Sequence, residues 1–284
     1  MKRHIQYTIL AALAALANPA LQAAPLKDAK ITRIINDVKT AGEGKTPKRA
    51  ALDEALLPGN SVRTGIDSRT ELLFSDQTIT RLGANSHFSF NEGTRELSLS
   101  KGVILLQVPK GLGGAKIQTA AVTAAITGTT ILFEIGPKFI KLFVIEGKCF
   151  LTPKGGNWRS RKPLSTGEGV IMEIGATKIP KPFIVNLSVL VNSSKLLTGK
   201  WGAKLEEKLI AQAVATQLRR YFGESNIGLN AIGKKPSFLS DIPPQAVLVI
   251  PVKPVTPQPA PQPAPKPAPQ PPKTPPDSNP FAGP

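Results

Sequence analysis

Turn residues recur about every 8–12 positions between Leu56 and Glu173, and short apolar segments fill the intervals. Leu97 and Leu99 alternate with serines, which is the period of two of a half-buried strand. β-branched residues and glycines are dense here, and no apolar stripe keeps a helical period. These features predict a mainly β domain and exclude a helical one. A further strand is expected within Ala29–Lys39.

Five short motifs follow one another in this region. They are Asp76-Gln77-Thr78 with Leu82 and Ser86, Gly102 with Val108, Thr119 with Gly128-Thr129, Glu146-Gly147 with Cys149, and Thr166-Gly167-Glu168-Gly169. In this order and spacing they resemble the FecR domain family over residues 56–175. The sequence departs from the family pattern at Gln77, where a glycine is usual, and at Leu106 and Ile131, where aromatic residues are usual.

The resemblance implies that the motif residues hold the fold and do not form a reactive site, because glycines permit positive φ or close approach and apolar residues fill the core. These residues are Asp76, Leu82, Ser86, Gly102, Val108, Gly128, Thr129, Glu146 and Gly147. For the β domain the resemblance favours a solenoid-like mixture of antiparallel and parallel strands, and a sandwich stays open as the alternative.

The same resemblance implies a periplasmic sensor or regulatory module. Well-known members of the family relay ferric-siderophore signals from an outer-membrane receptor to a cytoplasmic sigma factor. This sequence shows neither a cytoplasmic sigma-binding region nor an internal transmembrane helix. We therefore expect a stand-alone exported protein with a FecR domain.

Residues 1–23 have the pattern of a secretory signal peptide. A basic start at Lys2 and Arg3 precedes the apolar run Tyr7–Ala17, which is shorter than the about 20 residues of a spanning helix. We predict cleavage after Ala23, or one residue later, and a periplasmic or secreted protein without a membrane span. An uncleaved anchor is the alternative.

The remaining chain divides by composition. The predicted parts are a segment over residues 24–55 that adds one strand to the domain, the β domain over 56–175, a helical segment over 186–223, a linker with a short strand over 224–250, and a disordered proline-rich tail over 251–284. In the helical segment, Leu197, Trp201, Leu205 and Leu209 repeat at i+4 and predict an amphipathic helix. The tail favours extended polyproline II structure and suits a spacer, a docking segment or a solubilising tail.

Positive charge dominates the chain, whose formal net charge is +17. Basic residues are dense in one stretch, at Lys138, Lys141, Lys148, Lys154, Arg159, Arg161, Lys162, Lys178 and Lys181. Export argues against nucleic acid as the partner and favours an envelope protein or an anionic envelope polymer. The stretch is equally consistent with a solvated surface that keeps the protein soluble.

The sequence offers no residue set for catalysis, and we expect no catalytic site, metal or cofactor. The histidines are His4, within the signal peptide, and His87, so a histidine-rich zinc site is excluded. Cys149 is the only cysteine and is expected in the core. Glu134 and Glu146 are candidate neighbours across a hairpin, but a salt bridge with Lys141 or Lys148 is the commoner outcome for such acids.

From these features we predict an exported, non-catalytic binding or signalling module that recognises an envelope protein or polymer. The alternative is a structural cell-envelope protein that adheres to anionic polymer through its basic surface.

Overall fold

The structure is a computed structural model that describes residues 24–157 and 159–222. The strands are β1 (Ala29–Ile35), β2 (Val38–Ala41), β3 (Lys48–Arg49), β4 (Ala55–Leu56), β5 (Ser61–Thr64), β6 (Arg69–Phe74), β7 (Ile79–Leu82), β8 (His87–Phe90), β9 (Glu96–Gln107), β10 (Ala115–Gln118), β11 (Val122–Ile126), β12 (Thr130–Ile135), β13 (Phe139–Glu146), β14 (Lys148–Pro153), β15 (Lys162–Ser165), β16 (Glu168–Glu173) and β17 (Phe183–Ile184). The helices are α1 (Leu187–Ser193), α2 (Lys195–Thr198) and α3 (Glu207–Phe222). The predicted mainly β fold is confirmed.

The strands form two ladders, which we call ladder A and ladder B. Ladder A runs in the order β4, β1, β6, β7, β9, β12, β13, β16, β17. Ladder B runs in the order β3, β2, β5, β8, β9, β10, β11, β14, β15. Because the long strand β9 contributes one half to each ladder, the two ladders are a single sheet folded over on itself.

The chain crosses between the ladders repeatedly, and neighbouring segments pair antiparallel, except that β10 pairs with β9 in parallel. The result combines both of the arrangements that the sequence allowed. Two facing layers enclose the core as in a sandwich, and successive segments stack along one direction as in a solenoid. The expected mixture of antiparallel and parallel strands is present, with antiparallel pairing dominant.

The main core lies between the ladders because alternate residues of each strand point inward. In β9, Ile104 and Leu106 belong to this inner core and are fully buried. Val103 and Leu105 alternate with them and join a second apolar cluster on the outer face of ladder A. Each large apolar side chain buried in this way contributes about 1.5–3 kcal/mol to folding.

The helices form a third layer over the outer face of ladder A. Leu187, Leu190 and Leu196 are fully buried there, and Ile210 of α3 packs into the same cluster. Asn186 caps α1, because its side-chain oxygen accepts a hydrogen bond from Val189 N at 3.1 Å. The helical segment therefore completes a domain that has one apolar core on each side of ladder A.

An amphipathic helix follows the β region, as expected, but it covers only part of the predicted stripe. Residues 199–206 are not helical, so Trp201 and Leu205 lie in a loop over the second apolar cluster. Gly199 is the C-cap of α2, and a side chain there would meet the Trp201 indole nitrogen at 2.7 Å. The i+4 spacing wrongly predicted one continuous helix. A loop that turns at glycines can also bury apolar residues four positions apart.

Several predicted segments lie outside the described residues. These are the signal peptide with its cleavage position Ala23, the linker over residues 224–250 and the proline-rich tail. Within residues 24–157 and 159–222, no helix is both long and apolar enough to cross a membrane.

Candidate binding surface

Ser86 and Gly102 meet at a bend where the chain passes between the ladders. The Ser86 hydroxyl accepts a hydrogen bond from Val103 N at 2.9 Å and lies within 3.0 Å of the carbonyl oxygens of Gly83 and Val103. Gly102 has a φ of 93°, and a Cβ there would lie 2.3 Å from the Ser86 Cα. This position accepts only glycine, since both the backbone conformation and the space exclude a side chain.

Thr129 and Gly147 repeat this arrangement at another bend. The Thr129 hydroxyl accepts from Lys148 N at 3.2 Å and donates to Thr127 O at 2.9 Å or to Lys148 O at 2.8 Å. Gly147 has a φ of 94°, and a Cβ there would lie 2.7 Å from the Thr129 Oγ1. At both bends, a hydroxyl on one segment of the chain packs against a glycine on another segment, and this contact holds together two places where the chain passes from one ladder to the other.

Asp76 shapes the hairpin between β6 and β7 and also links the two ladders. Its carboxylate accepts from Thr78 N at 2.9 Å and from the Thr78 hydroxyl at 3.0 Å. Arg95, in the turn that precedes β9, donates to the same carboxylate at 2.5 Å. Between Asp76 and Thr78, Gln77 has a φ of 67°, which lies in the left-handed region that favours glycine. The backbone therefore turns at this position although the glycine that is usual in the family is replaced by glutamine.

The other motif residues lie in the framework too. Leu82 is fully buried in the inner core. Val108 and Thr129 exchange both backbone hydrogen bonds, at 3.0 and 3.1 Å. Gly128 has a φ of 56°, and the Glu146 carboxylate pairs with Lys110 at 3.0 Å. The motif residues therefore set bends and crossings and do not converge on one cavity.

A buried ion pair under the helices was missed by the sequence analysis. Arg81 Nε donates to Glu71 at 2.8 Å, and both side chains are almost fully buried. Glu71 also accepts from Thr32 and from Ala203 N, each at 2.7 Å. Arg81 donates to Leu196 O at 2.7 Å and lies over the Trp201 ring at 4.7 Å from its centre. Burial lowers the pKa of Arg81, while the partly compensating Glu71 raises it.

This network connects ladder A to the loop that precedes α3. The only sign of this network in the sequence is that Glu71 and Arg81 lie within apolar strands, next to Leu72 and Leu82. The polar atoms of Glu71 and Arg81 form hydrogen bonds with each other and with backbone atoms of residues 196 and 203, so the network has a structural role in holding the helical layer against ladder A. The cavity beside it, of about 390 Å³, is lined by Arg81, Trp201, the charged residues Lys204 and Glu207, and apolar side chains of the helical layer.

Groups with chemical reactivity are few and scattered. Cys149 is a free, buried thiol, and burial raises its pKa to about 12. Glu134 pairs with Lys141 at 3.1 Å, one of the pairings that the sequence allowed. Among the described residues, no group of three or more His, Cys, Asp or Glu side chains is placed to hold a metal ion.

The basic stretch that the sequence singled out divides into separate places. Lys141 lies in ladder A, Lys148 in ladder B, and Lys178 and Lys181 in the segment between β16 and β17. Lys154, Arg159 and Arg161 lie in the connection between β14 and β15. With Lys148 in β14 and Lys162 in β15, five of the nine basic residues belong to one hairpin of ladder B, and the other four lie elsewhere.

A different set of basic residues does share one surface. We call it the cationic row, and it consists of Arg49, Lys39, Arg63, His87 and Lys101. Lys39 stands opposite both Arg49 and Arg63, Arg63 stands opposite His87, and His87 stands opposite Lys101. The row crosses β3, β2, β5, β8 and β9 on the outer face of ladder B. Residues far apart in sequence create it, so only the strand register reveals it.

Like charges placed directly opposite one another destabilise a sheet by about 0.2–1 kcal/mol for each pair. Asp37 approaches the row only at 3.9 Å from Lys39 Nζ, and both side chains are more than half exposed. The pKa of His87 is lowered by burial first and then by Arg63 and Lys101. Burial and the two neighbouring cations thus both favour the neutral imidazole in the folded protein.

A row of uncharged polar residues runs beside the cationic row. We call it the hydroxyl row, and it consists of Ser61, Ser89, Ser98, Gln118, Thr123 and Thr152. Arg63 and Ser61 are two positions apart in β5, as are His87 and Ser89 in β8, so each pair points to the same face. Together the rows make a basic and hydrogen-bonding surface on the outer face of ladder B. The same face also carries Glu96, which accepts a hydrogen bond from Gln118 at 2.7 Å, and the exposed Phe150, two positions from Thr152 in β14.

Comparison with known proteins agrees with the motifs. The profile of the family described as FecR protein matches residues 60–149. Two crystal structures of a candidate anti-sigma factor from Parabacteroides distasonis, at 1.65 and 2.50 Å resolution, are also similar. Each is 12% identical with a TM-score of 0.38, and the matches cover 55% and 58% of this chain and 92% and 95% of those chains. Comparison with curated proteins gave no match.

The residues matched by the family profile extend from the end of the loop before β5 to the start of β14. They include the two bends, at Ser86–Gly102 and at Thr129–Gly147, at which a hydroxyl meets a glycine. The motifs, the bends and the profile therefore agree that residues 60–149 are similar to the family described as FecR protein.

Proposed function

We propose that this protein is an exported, non-catalytic module that recognises an envelope component and serves a signalling or regulatory role. The observation that carries the proposal is the outer face of ladder B, where the exposed cations Arg49, Lys39, Arg63 and Lys101 and the half-buried His87 stand in line across five strands. A row of charges across a sheet face suits recognition of an extended partner, whereas catalysis requires converging groups in a concave site. The FecR domain supports the regulatory part of the proposal.

The placement of polar groups also favours recognition over catalysis. The buried charges of Glu71 and Arg81 pair with each other, and Glu71 also binds the helical layer through Ala203 N. The motif residues stabilise bends of the chain. The cationic row takes no part in these structural contacts, and all of its residues except the half-buried His87 are exposed.

A second candidate is structural adhesion to anionic polymer without signalling. The same cationic row favours it, because charge alone can bind a polyanion. The two candidates differ in what they need besides charge. A signalling module needs a specific protein partner, and an adhesive protein does not.

In-cell crosslinking of the tagged, full-length protein tests the proposal. Envelope partners are identified by mass spectrometry after a high-salt wash, because screening shortens to about 3 Å at 1 M salt and removes loosely held material. We expect one salt-resistant partner that is lost in the variant Gly102→Ala, which disrupts the FecR domain. Recovery of only diverse, salt-sensitive anionic material would contradict the regulatory proposal and favour adhesion.

A further inference from the structure

The two rows on ladder B differ in chemistry but lie side by side. The cationic row has five positions on neighbouring strands, and Arg49, Lys39, Arg63 and Lys101 are exposed. Neighbouring strands are about 4.7–4.9 Å apart, so the row spans about 19 Å. A ligand that satisfies the whole row must therefore be extended and must carry negative charge at regular, short intervals.

We propose that the outer face of ladder B binds a linear anionic polysaccharide, with its acidic groups on the cationic row and its hydroxyl groups on the hydroxyl row. This inference rests on the proposed function, since it names a class of envelope polymer that the module binds in addition to the salt-resistant protein partner that the signalling role requires. Carboxylates or other acidic groups of the polymer would pair with Lys39 and Arg63 at the centre of the cationic row. The ring hydroxyls of the same sugars would exchange hydrogen bonds with Ser61 and Ser89.

The composition of the two rows favours a polysaccharide over single-stranded nucleic acid. Proteins that bind single strands without sequence preference stack bases on aromatic side chains. Neither row contains an aromatic residue other than the His87 ring, and serine, threonine and glutamine occupy the positions of the hydroxyl row. Phe150 is an exposed ring on the same face, but Arg161 lies over it at 4.6 Å, so among the described residues no series of stacking platforms follows the rows. Hydroxyl and amide groups match the donors and acceptors that a sugar ring presents.

The composition also disfavours a lipid surface. Proteins that lie on a bilayer combine basic residues with apolar side chains that enter the boundary of the acyl chains. The neighbours of the cationic row on the same face are Ala41, Ser61 and Ser89, none of which is a large apolar residue. The exposed Ile66 lies in the turn after β5 and not in either row.

The row is arranged so that binding relieves a cost already present in the free protein, because Lys39 stands opposite two other cations, Arg49 and Arg63. Arg63 Nε also donates a hydrogen bond to His87 Nε2 at 3.4 Å, and burial, followed by Arg63 and Lys101, lowers the pKa of His87. An anionic chain placed over Lys39 and Arg63 would replace repulsion between these cations by attraction to the ligand. Contacts at several positions of one chain also add to the affinity, so a polymer should bind far better than its monomer.

Binding of the mature protein to size-fractionated oligogalacturonate tests the proposal, with galacturonate monomer and neutral dextran for comparison. Oligogalacturonate carries one carboxylate on each sugar. We expect oligomers long enough to cover the row to bind, and the monomer and dextran not to bind. The variant Lys39→Gln/Arg63→Gln should lose about five- to thirtyfold in affinity, because two exposed ion pairs are removed.

The matched control is Lys178→Gln/Lys181→Gln, which removes the same charge from exposed positions between β16 and β17. It should keep the affinity within about twofold, apart from a small effect of net charge. The variant Ser61→Ala/Ser89→Ala should weaken oligogalacturonate binding while leaving the charge intact. Equal unfolding midpoints would show that all variants keep the fold.

Several results would overturn the inference. Equal losses in the row variant and the control would show that net charge alone decides binding. Equal or tighter binding of a single-stranded DNA oligomer or of vesicles with anionic lipid, with loss in the same row variant, would assign the face to another polyanion. Absence of oligogalacturonate binding, with the crosslinked partner retained in cells, would reject the polysaccharide and leave the proposed function intact.

Discussion

The Cα of Gly102 lies so close to Ser86 that a Cβ on Gly102 would stand 2.3 Å from both the Cα and the Oγ of Ser86. The Ser86 hydroxyl uses this proximity to hold Val103 N at 2.9 Å. This contact fixes the point at which β9 leaves ladder B and enters ladder A. The two ladders, and therefore the enclosed core, depend on it.

Replacing Gly102 by alanine should destabilise the protein by about 2–5 kcal/mol. The φ of 93° disfavours any side chain, and the clash with the Ser86 backbone adds an overpacking term. Urea unfolding followed by circular dichroism measures the loss. The control is Gly93→Ala, where φ is 66° but no atom lies within 4 Å of the added Cβ, so the loss should be about 1 kcal/mol. Equal losses at the two positions would contradict the role of close packing.

Removing one partner of the Glu71–Arg81 pair should be severe. Glu71→Ala leaves a charged, buried Arg81 and should cost about 3–5 kcal/mol in unfolding free energy. The double variant Glu71→Leu/Arg81→Met should lose less than Glu71→Ala does, because no unpaired charge stays buried. Urea unfolding of the three proteins makes the comparison.

The exposed pair Lys30–Asp53 is the control for the buried pair. Its ions are also 2.8 Å apart, but the side chains are 55% and 65% exposed. Lys30→Ala should therefore change the unfolding free energy by less than about 1 kcal/mol. A similar loss in Lys30→Ala and Glu71→Ala would show that burial does not control the strength of the joint.

Gln77→Gly should stabilise the hairpin between β6 and β7, by up to about 1 kcal/mol. A left-handed conformation costs a non-glycine residue about 1–2 kcal/mol, and this cost is removed in the glycine variant. Part of the gain is offset because glycine has more conformational freedom in the unfolded chain. Thermal unfolding measures the change. Asn85→Gly is the comparison, since Asn85 has a φ of 53° and asparagine tolerates this region, so the gain should be smaller. A loss of stability in Gln77→Gly would mean that the Gln77 side chain makes a contribution of its own.

Cys149 should resist thiol reagents while the protein is folded. Its pKa is raised to about 12 against a usual value of 9.0, so the folded state disfavours the thiolate. Because the unfolded chain loses this proton more readily, the thiol contributes stability fully below about pH 9, and that stability is lost as pH rises toward 12. Labelling with a thiol reagent at pH 8 should be slow in buffer and fast in urea. Fast labelling of the folded protein would contradict the buried position.

The sequence was sufficient for features that depend on local patterns. Alternation at Leu97 and Leu99 predicted strands, and the turn motif at Asp76 was found at the hairpin between β6 and β7. The family motifs placed Ser86 and Gly102 in one domain, but their contact across 16 positions required the fold. Local patterns failed at Trp201, because the same i+4 spacing fits a helix and a loop that packs on a cluster.

The cationic row could not be predicted, for a physical reason. Its residues are isolated polar positions in alternating strands, and each one alone predicts only a solvent-facing side chain. Lys39, Arg63 and His87 become neighbours through the register of β2, β5 and β8. The stretch from Lys138 to Lys181 is dense in sequence, yet its members divide between the β14–β15 hairpin of ladder B and positions in or next to strands of ladder A.

The titration of His87 gives a direct readout of the cationic row. Burial, Arg63 and Lys101 lower its pKa below the usual value of 6.5, so the unfolded chain binds this proton more readily than the folded protein does. Stability at this site is therefore present above pH 6.5 and is lost as pH falls from 6.5 through the lowered pKa. NMR titration of the imidazole signals is clean, because the only other histidine, His4, is expected to leave with the signal peptide.

Arg63→Gln should raise the pKa of His87, because it removes one of the two cations that oppose protonation, whereas Lys178→Gln should leave it unchanged. Oligogalacturonate should also raise the pKa of His87, since an anion over the row favours the imidazolium. A pKa that does not respond to Arg63→Gln would separate His87 from the row. A pKa that responds to Arg63→Gln but not to saturating oligogalacturonate would place any bound polymer elsewhere on the protein.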